Sequence, residues 1–272
     1  MKNTESKELA RKIRVHALHM VHKAKTSHIG TCFSMADLLA VLFGKVLNFN
    51  ASNPSWTERD RFILSKGHGA AIYYAVLAEC GFFSKKWLGN YCQNGSQLPG
   101  HSTKTGIPGI EISTGSLGHG LSIGCGMALV GNRDKKNYRI FVMLSDGELN
   151  EGSNWEAILF ASQHRLDNLL CIIDYNKIQG LGNVKEIIAL EPLKEKFQSF
   201  GWAVKEIDGH NLNNISKSLR DIPFENGKPS MIIAHTVKGK GVSFMENNLA
   251  WHYKSPNNDE LLVALSELEE NI

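Results

Sequence analysis

Asp146 and Asn176 are the residues whose types and spacing point most directly to chemistry. A carboxylate and an amide carbonyl are hard oxygen ligands, and with a backbone carbonyl and waters they suit Mg²⁺ or Ca²⁺. Magnesium usually completes its shell with phosphate oxygens of a substrate. Gly147 and Gly152 let phosphates approach the backbone, and the helix after them presents free N–H groups. The set reads as a Mg²⁺–diphosphate site. Taken singly, Asp146 reads as a helix cap and Asn176 as a turn residue. It is their pairing that argues for a metal.

The pairing depends on the elements that flank them. Ile140 to Leu144 is an apolar run expected to form a buried strand, and it ends in Ser145-Asp146-Gly147-Glu148. Ser153 to His164 has helical spacing, with Trp155, Ile158, Leu159 and Ser162 on its apolar face. Leu169 to Ile173 is a second buried strand, ending in Asp174-Tyr175-Asn176. Strand, helix, strand over this length is a βαβ unit with parallel strands. Parallel strands end at one edge of a sheet, where open α/β sheets bind ligands. Asp146 and Asn176 should therefore emerge side by side.

The rest of the chain fits one α/β domain over residues 1–272, a mostly parallel sheet flanked by helices. A net charge of +3 gives no argument for nucleic acid or a membrane surface. There is no run of eighteen apolar residues, and the polar start MKNTESKELARKIR lacks a signal-peptide core. The five scattered cysteines read as buried free thiols in a reducing cytoplasm.

Ser6 to Lys25 is helical, with Leu9, Ile13, Leu18 and Val21 inward. His16, His19 and His22 recur at every third position, but no further ligand is arranged with them, so they read as a solvated or interfacial helix face. Thr26 to Gly30 breaks the helix, and Ser34 is expected to cap a second one over Met35 to Leu47. Arg61 to Leu64 is a strand candidate ending in Ser65-Lys66-Gly67-His68-Gly69, before helix Ala70 to Cys80. Further Gly/His loops follow at Pro99-Gly100-His101 and Ser113 to Leu121, the second preceding helix Ser122 to Val130. Glu191 to Phe200 and Leu212 to Leu219 read as helices, and Trp202 to Ile207 and Met231 to His235 as strands. The loop after the last strand holds Lys238-Gly239-Lys240-Gly241 and Trp251-His252-Tyr253, and an acidic peripheral helix, Glu260 to Glu270, follows. Histidines at strand ends before helices occupy the position favoured for ligand contacts.

The wording Asp146-Gly147-Glu148-Leu149-Asn150-Glu151-Gly152 … Asp174-Tyr175-Asn176-Lys177-Ile178 resembles the thiamine-diphosphate motif, and transketolase in particular. The resemblance implies a thiamine-diphosphate-binding fold. It implies metal ligation by the side chains of Asp146 and Asn176 and the backbone carbonyl of Ile178, with Mg²⁺ as the ion and Ca²⁺ or Mn²⁺ as substitutes. Gly147 and Glu148 join the cofactor-binding set. His28 in Ser-His-Ile-Gly, His68 in Lys-Gly-His-Gly, His101 in Pro-Gly-His and His252 resemble the family's substrate-site histidines. Their implied work is on donor hydroxyls, cofactor contacts and proton transfer. His68 and His252 are expected near the diphosphate, where positive character helps, and Lys238 is a further candidate for that task. Thr114-Gly-Ser-Leu-Gly-His-Gly resembles the loop whose leucine, here Leu117, touches the thiazolium ring. Glu151 resembles a glutamate that links two active sites across a dimer; its plain alternative is a first-turn carboxylate favoured by the helix dipole. Ser145, Ile29, Ser116 and His119 depart from the commoner Gly, Pro, Pro and Gln.

The resemblance runs from about His16 to Tyr253. Full-length transketolases are more than twice as long, with a second domain that binds the aminopyrimidine ring and supplies the activating glutamate. The chain therefore resembles the N-terminal subunit of a split transketolase, completed by a C-terminal subunit, with two copies of each and sugar or sugar phosphate substrates. Two other readings stand beside this one: a different thiamine-diphosphate enzyme subunit, such as a 1-deoxyxylulose-5-phosphate synthase or a 2-oxo acid dehydrogenase component, and a non-catalytic cofactor-binding assembly subunit.

Overall fold

A computed structural model describes residues 3–270. Five strands form one sheet: β1 (Arg61–Leu64), β2 (Ile140–Ser145), β3 (Leu169–Tyr175), β4 (Ala203–Asp208) and β5 (Ser230–His235). Their order is β1-β2-β3-β5-β4, and every neighbouring pair is parallel. β2 and β3 are buried along their whole length, as central strands of a parallel sheet covered on both faces must be. β4 lies at one edge, and its partly exposed Lys205 and Glu206 discourage pairing with another chain.

Side chains alternate between the two faces. On one face Phe62, Leu64, Phe141, Met143, Leu170, Ile172 and Ile232 pack under α1 (Asn3–Ala24), α2 (Ile29–Ser34), α3 (Ala36–Val41), α4 (Ala70–Glu79) and α9 (Leu212–Arg220). On the other, Ile63, Val142, Leu144, Cys171, Ile173 and Ile233 pack under α5 (Gly120–Arg133), α6 (Gly152–Gln163) and α8 (Leu193–Ser199). A short turn of helix, α7 (Val184–Ile187), follows β3, and α10 (Asn258–Glu270) lies along α1 and buries Ala264 and Leu268. In α1 the four expected inner residues are buried. His16 pairs with Glu79 (2.8 Å), and a ring nitrogen of His22 bonds the carbonyl of Pro256 (2.8 Å), so these histidines tie α1 to its neighbours.

Four expectations are corrected. Ser34 closes α2 instead of capping the next helix, because its hydroxyl donates to Thr31 O (3.0 Å) and to Asp174 Oδ2 (2.5 Å). The apolar stretch after it divides into α3 and a π-helical turn, Leu42–Val46. In α6 the core face is Asn154, Ala157, Ile158 and Ala161, while Leu159 is 56% exposed. It lies one residue, about 100°, round the helix from Ile158. Cys32, Cys125 and Cys171 are buried free thiols, but Cys92 is exposed in a loop.

Candidate active site

The carboxyl ends of β1, β2, β3 and β5 surround a cavity of about 350 Å³. β2 and β3 pair in register through Ser145 and Asp174, which brings Asp146 and Asn176 into the cavity wall together. Asp146 is held from two directions: its Oδ1 accepts from Gly147 N (2.7 Å) and its Oδ2 from Lys177 N (2.6 Å). Asn176 Oδ1 accepts from Ile178 N (3.2 Å). The Ile178 carbonyl accepts from Lys238 Nζ (3.0 Å) and keeps a second lone pair.

These groups fit a divalent cation bearing a phosphorylated ligand. Burial, and then the neighbouring carboxylate of Asp174, push Asp146 up to about 6. A desolvated carboxylate of this kind gains from a cation at close range. In the same wall the amide Nε2 of Gln179 is buried with no hydrogen-bond partner, while its Oε1 accepts from Asn150 Nδ2 (3.1 Å). A buried donor without an acceptor is costly, and a phosphate oxygen would relieve it. Among the described residues no three His, Cys, Asp or Glu side chains gather for a metal. The candidate ligands are instead one carboxylate, one amide oxygen and one backbone carbonyl.

Four histidines share the cavity. The His28 ring centroid lies 5.0 Å from His68, 6.2 Å from His101 and 5.3 Å from His252. His28 is brought there by a left-handed backbone (φ 74°), rare for a residue with a side chain, and its N–H donates to His252 O (2.9 Å). His68 sits in a tight turn after β1. There Gly67 is required, because a Cβ would lie 2.5 Å from the Thr114 backbone. The His101 carbonyl accepts from Tyr74 Oη (2.8 Å).

Electrostatics correct one expectation. His68 and His252 do not bring positive charge. Burial, and then Lys66, hold His68 well below its usual range, and burial, and then Lys238, bring His252 down to about 3. His28 falls to about 4 through burial and the neighbouring His101 and Lys238. All three are neutral imidazoles near pH 7. The positive charge at this end belongs to Lys238, which is 1% exposed and which burial lowers to about 8. Its Nζ lies 3.0 Å from His252 Nδ1. An ammonium can only donate, so the proton of His252 sits on Nε2.

Leu117 lines the cavity, as do Ser145 and Gly147. Glu148, Glu151 and Gly152 do not. Glu148 is fully buried behind the wall: its Oε1 accepts from Ser65 Oγ (2.5 Å) and Gly118 N (2.9 Å), and its Oε2 from Ser145 N (3.3 Å). It fixes the Ser145 N–H and the 113–120 loop without lining the cavity. Glu151 is exposed at the start of α6, beyond the 3₁₀ turn Gly147–Asn150 that separates α6 from the cavity. That turn also sets Gly152 and the helix N-terminus back from the cavity lining.

Sequence reasoning missed a buried group beneath the site. Lys66 and Asp174 form an ion pair with both side chains fully buried. Lys66 Nζ also donates to Thr31 Oγ1 (2.9 Å), and Asp174 accepts from Ser34 and Thr236. The group joins α2, the end of β1, the end of β3 and the segment after β5. Lys66 and Asp174 flank the named site positions, but no local pattern marks them.

The family model for "Transketolase, thiamine diphosphate binding domain" matches residues 5–268. An apulose-4-phosphate transketolase subunit from Actinobacillus succinogenes is 44% identical over 89% of this chain and 88% of its own length. The 6-deoxy-6-sulfo-D-fructose transketolase subunit SqwG of a Clostridium species is 42% identical over 94% of each chain. Transketolase from Campylobacter jejuni superposes with a TM-score of 0.93 at 32% identity, covering 99% of this chain and 43% of that one. The chain thus spans about two fifths of the single-chain enzyme and nearly all of the separate subunits. These likenesses favour the transketolase reading over the other thiamine-diphosphate enzymes, and the chain belongs to the transketolase family as its N-terminal, thiamine-diphosphate-binding part.

Proposed function

We propose that this chain is the diphosphate-binding subunit of a two-subunit transketolase, which moves a two-carbon ketol unit from a ketose to an aldose. The observation that carries this reading is the meeting, in one cavity, of the Asp146–Asn176 pair with four histidine rings. Thiamine diphosphate, when bound, supplies the nucleophilic carbon and the electron sink. Asp146, Asn176 and the Ile178 carbonyl would hold the divalent cation, Mg²⁺ by preference and Ca²⁺ or Mn²⁺ as substitutes. Gly147, Gln179 and Lys238 would meet the diphosphate, and Leu117 the thiazolium ring. His28, His68, His101 and His252 would orient the donor hydroxyls and move protons, work that suits an uncharged imidazole able both to give and to accept.

A separate C-terminal subunit would supply the pyrimidine site and the activating glutamate, with two copies of each subunit in the assembly. Both subunit relatives carry names that imply a partner. In keeping with one, α5 and α6 leave Ile123, Val130, Leu159 and Phe160 exposed. Glu151 at the start of α6 would then link paired sites. Among the described residues no helix is long and apolar enough to cross a membrane, and we place the enzyme in the cytoplasm. The substrates of the relatives suggest a sugar with an anionic end.

The test is ketol transfer with Mg²⁺ and thiamine diphosphate, comparing the chain alone with the chain plus the protein encoded beside it. Activity in the mixture only is expected. Activity of the chain alone would refute the need for a partner. In an active pair, Asp146→Ala should abolish transfer; unchanged transfer would overturn the metal assignment.

A further inference from the structure

The histidine cluster continues outward into one ring that the proposed chemistry does not use. Tyr253 follows His252 at the end of the 3₁₀ turn Leu249–His252, and the two ring centroids are 4.7 Å apart. Its backbone is fixed, with Tyr253 N donating to Ala250 O (3.2 Å) and Lys254 N to the same carbonyl (2.9 Å). Yet the side chain is 61% exposed while still lining the cavity. An exposed aromatic on a fixed backbone at the rim of a polar cavity offers both an apolar face and a polar tip.

The tip has a defined place. It hangs over Gly180, in the loop after β3, so that a Cβ on Gly180 would lie 2.6 Å from Tyr253 Oη and 3.3 Å from His252 Nε2. The phenol therefore crosses from the loop after β5 to the loop after β3, and a glycine leaves room for it. Among the described residues Tyr253 Oη has no hydrogen-bond partner. Lys238 fixes the His252 proton on Nε2, the nitrogen that faces the same space above Gly180. A donor N–H and a free hydroxyl thus converge on one small volume at the mouth.

The order of groups from the inside outward says what occupies that volume. Asp146, Asn176 and Lys238 mark the anionic end of the cofactor, and His28 and His68 lie beside them. The carbons of a sugar beyond the reacting pair must run outward past the rim. Resting on the transketolase reading, we propose that Tyr253 is a specificity-determining residue. Its hydroxyl, with His252 Nε2–H, bonds a hydroxyl of the sugar chain beyond the two transferred carbons, and its ring covers the carbon face of that chain. The ligand class is a polyhydroxylated chain, not the ketol head. If the ring merely shielded the Gly180 backbone, the phenolic oxygen would be dispensable.

The experiment uses the reconstituted two-subunit enzyme with saturating Mg²⁺ and thiamine diphosphate, and one fixed acceptor aldose. Four sugar donors are offered: D-fructose 6-phosphate, D-xylulose 5-phosphate, apulose 4-phosphate and 6-deoxy-6-sulfo-D-fructose. The best of them is compared with hydroxypyruvate, which presents a ketol head without a polyol chain. Tyr253→Phe should lower the ratio of kcat/KM for the sugar to that for hydroxypyruvate by about fivefold, the size of one lost neutral hydrogen bond, with the change carried by KM. A purely structural defect would lower both donors together and leave the ratio alone. An unchanged ratio in an active enzyme overturns this inference and leaves the transketolase reading intact. A wild-type pair that turns over neither hydroxypyruvate nor any of the sugars overturns both.

Discussion

Replacing Asp174 by Asn isolates the buried charge beneath the site. Lys66 and Asp174 are both fully buried, so neither is relieved by water when the other is lost. Burial alone would raise the Asp174 pKa, but the Lys66 ammonium and the hydroxyls of Ser34 and Thr236 together bring it below its ordinary value. The Asn side chain keeps the size and one acceptor oxygen but leaves Lys66 charged, with Thr31 Oγ1 as its remaining partner. Removing one member of a buried pair costs about 3–5 kcal/mol. At about 2–4 °C per kcal/mol for chains of roughly this size, the melting temperature should fall by about 6–20 °C. The assay is thermal unfolding by circular dichroism at pH 7.5 without cofactor, with urea midpoints as a second measure. The informative control is Lys66→Met combined with Asp174→Leu, which removes both charges. An apolar pair of similar volume is often neutral or stabilising, although Thr236 then loses its acceptor at about 1–3 kcal/mol. The double variant should therefore melt above Asp174→Asn. A melting point within 2 °C of wild type for Asp174→Asn, or a double variant less stable than the single, would refute the reasoning.

Stability should fall as the pH drops from about 6.5 toward 4. His28, His68 and His252 have depressed pKa values in the folded chain, so the unfolded chain binds their protons first and their contribution, complete above 6.5, is lost through this window. Asp146, raised to about 6, and Glu148, which burial also raises, act in the opposite sense to the three histidines; urea midpoints at pH 7.5, 6 and 5 check the balance. Asp146→Ala should leave the unliganded chain at least as stable at pH 7.5, because it removes a poorly solvated carboxylate, while abolishing the stabilisation of about 2.7 kcal/mol expected from Mg²⁺–thiamine diphosphate at 100 times its Kd; paired melting curves with and without the cofactor read both effects. His210→Ala should weaken cofactor binding while the fold persists, because His210 Nε2 accepts from Val237 N (2.9 Å), next to Lys238, and its Nδ1 bonds Asp37 (2.8 Å); titration calorimetry with circular dichroism separates the two. Gly67→Ala should destabilise by about 1–3 kcal/mol by driving a methyl into the Thr114 backbone, read as a lower urea midpoint.

Which parts of this molecule are legible in the sequence follows from the range of the interactions involved. β2 and β3 are short apolar runs with abrupt polar ends, and the rule that parallel strands finish at one edge is enough to put Asp146 beside Asn176. No such local rule reaches His28, His68, His101 and His252. They come from four separate loops, and only the resemblance to a known family gathers them before the fold does. Leu159 defeats the periodicity because a helical pattern identifies an apolar stripe without saying whether a core or a partner covers it. The protonation of the site is the least legible feature. Lys66 and Asp174 look like ordinary surface charges in the sequence, since charged residues are rarely buried unless paired. Once the fold buries them, burial and then Asp174 raise Asp146, while burial together with Lys66 depresses both His68 and Lys238. The groups that face the ligand can thus be read from residue type and strand position, whereas the charge each carries is set first by burial and, for Asp146, His68 and Lys238, also by this pair beneath them. A variant that alters this pair should therefore change the pH at which the site works even with every ligand-facing residue in place.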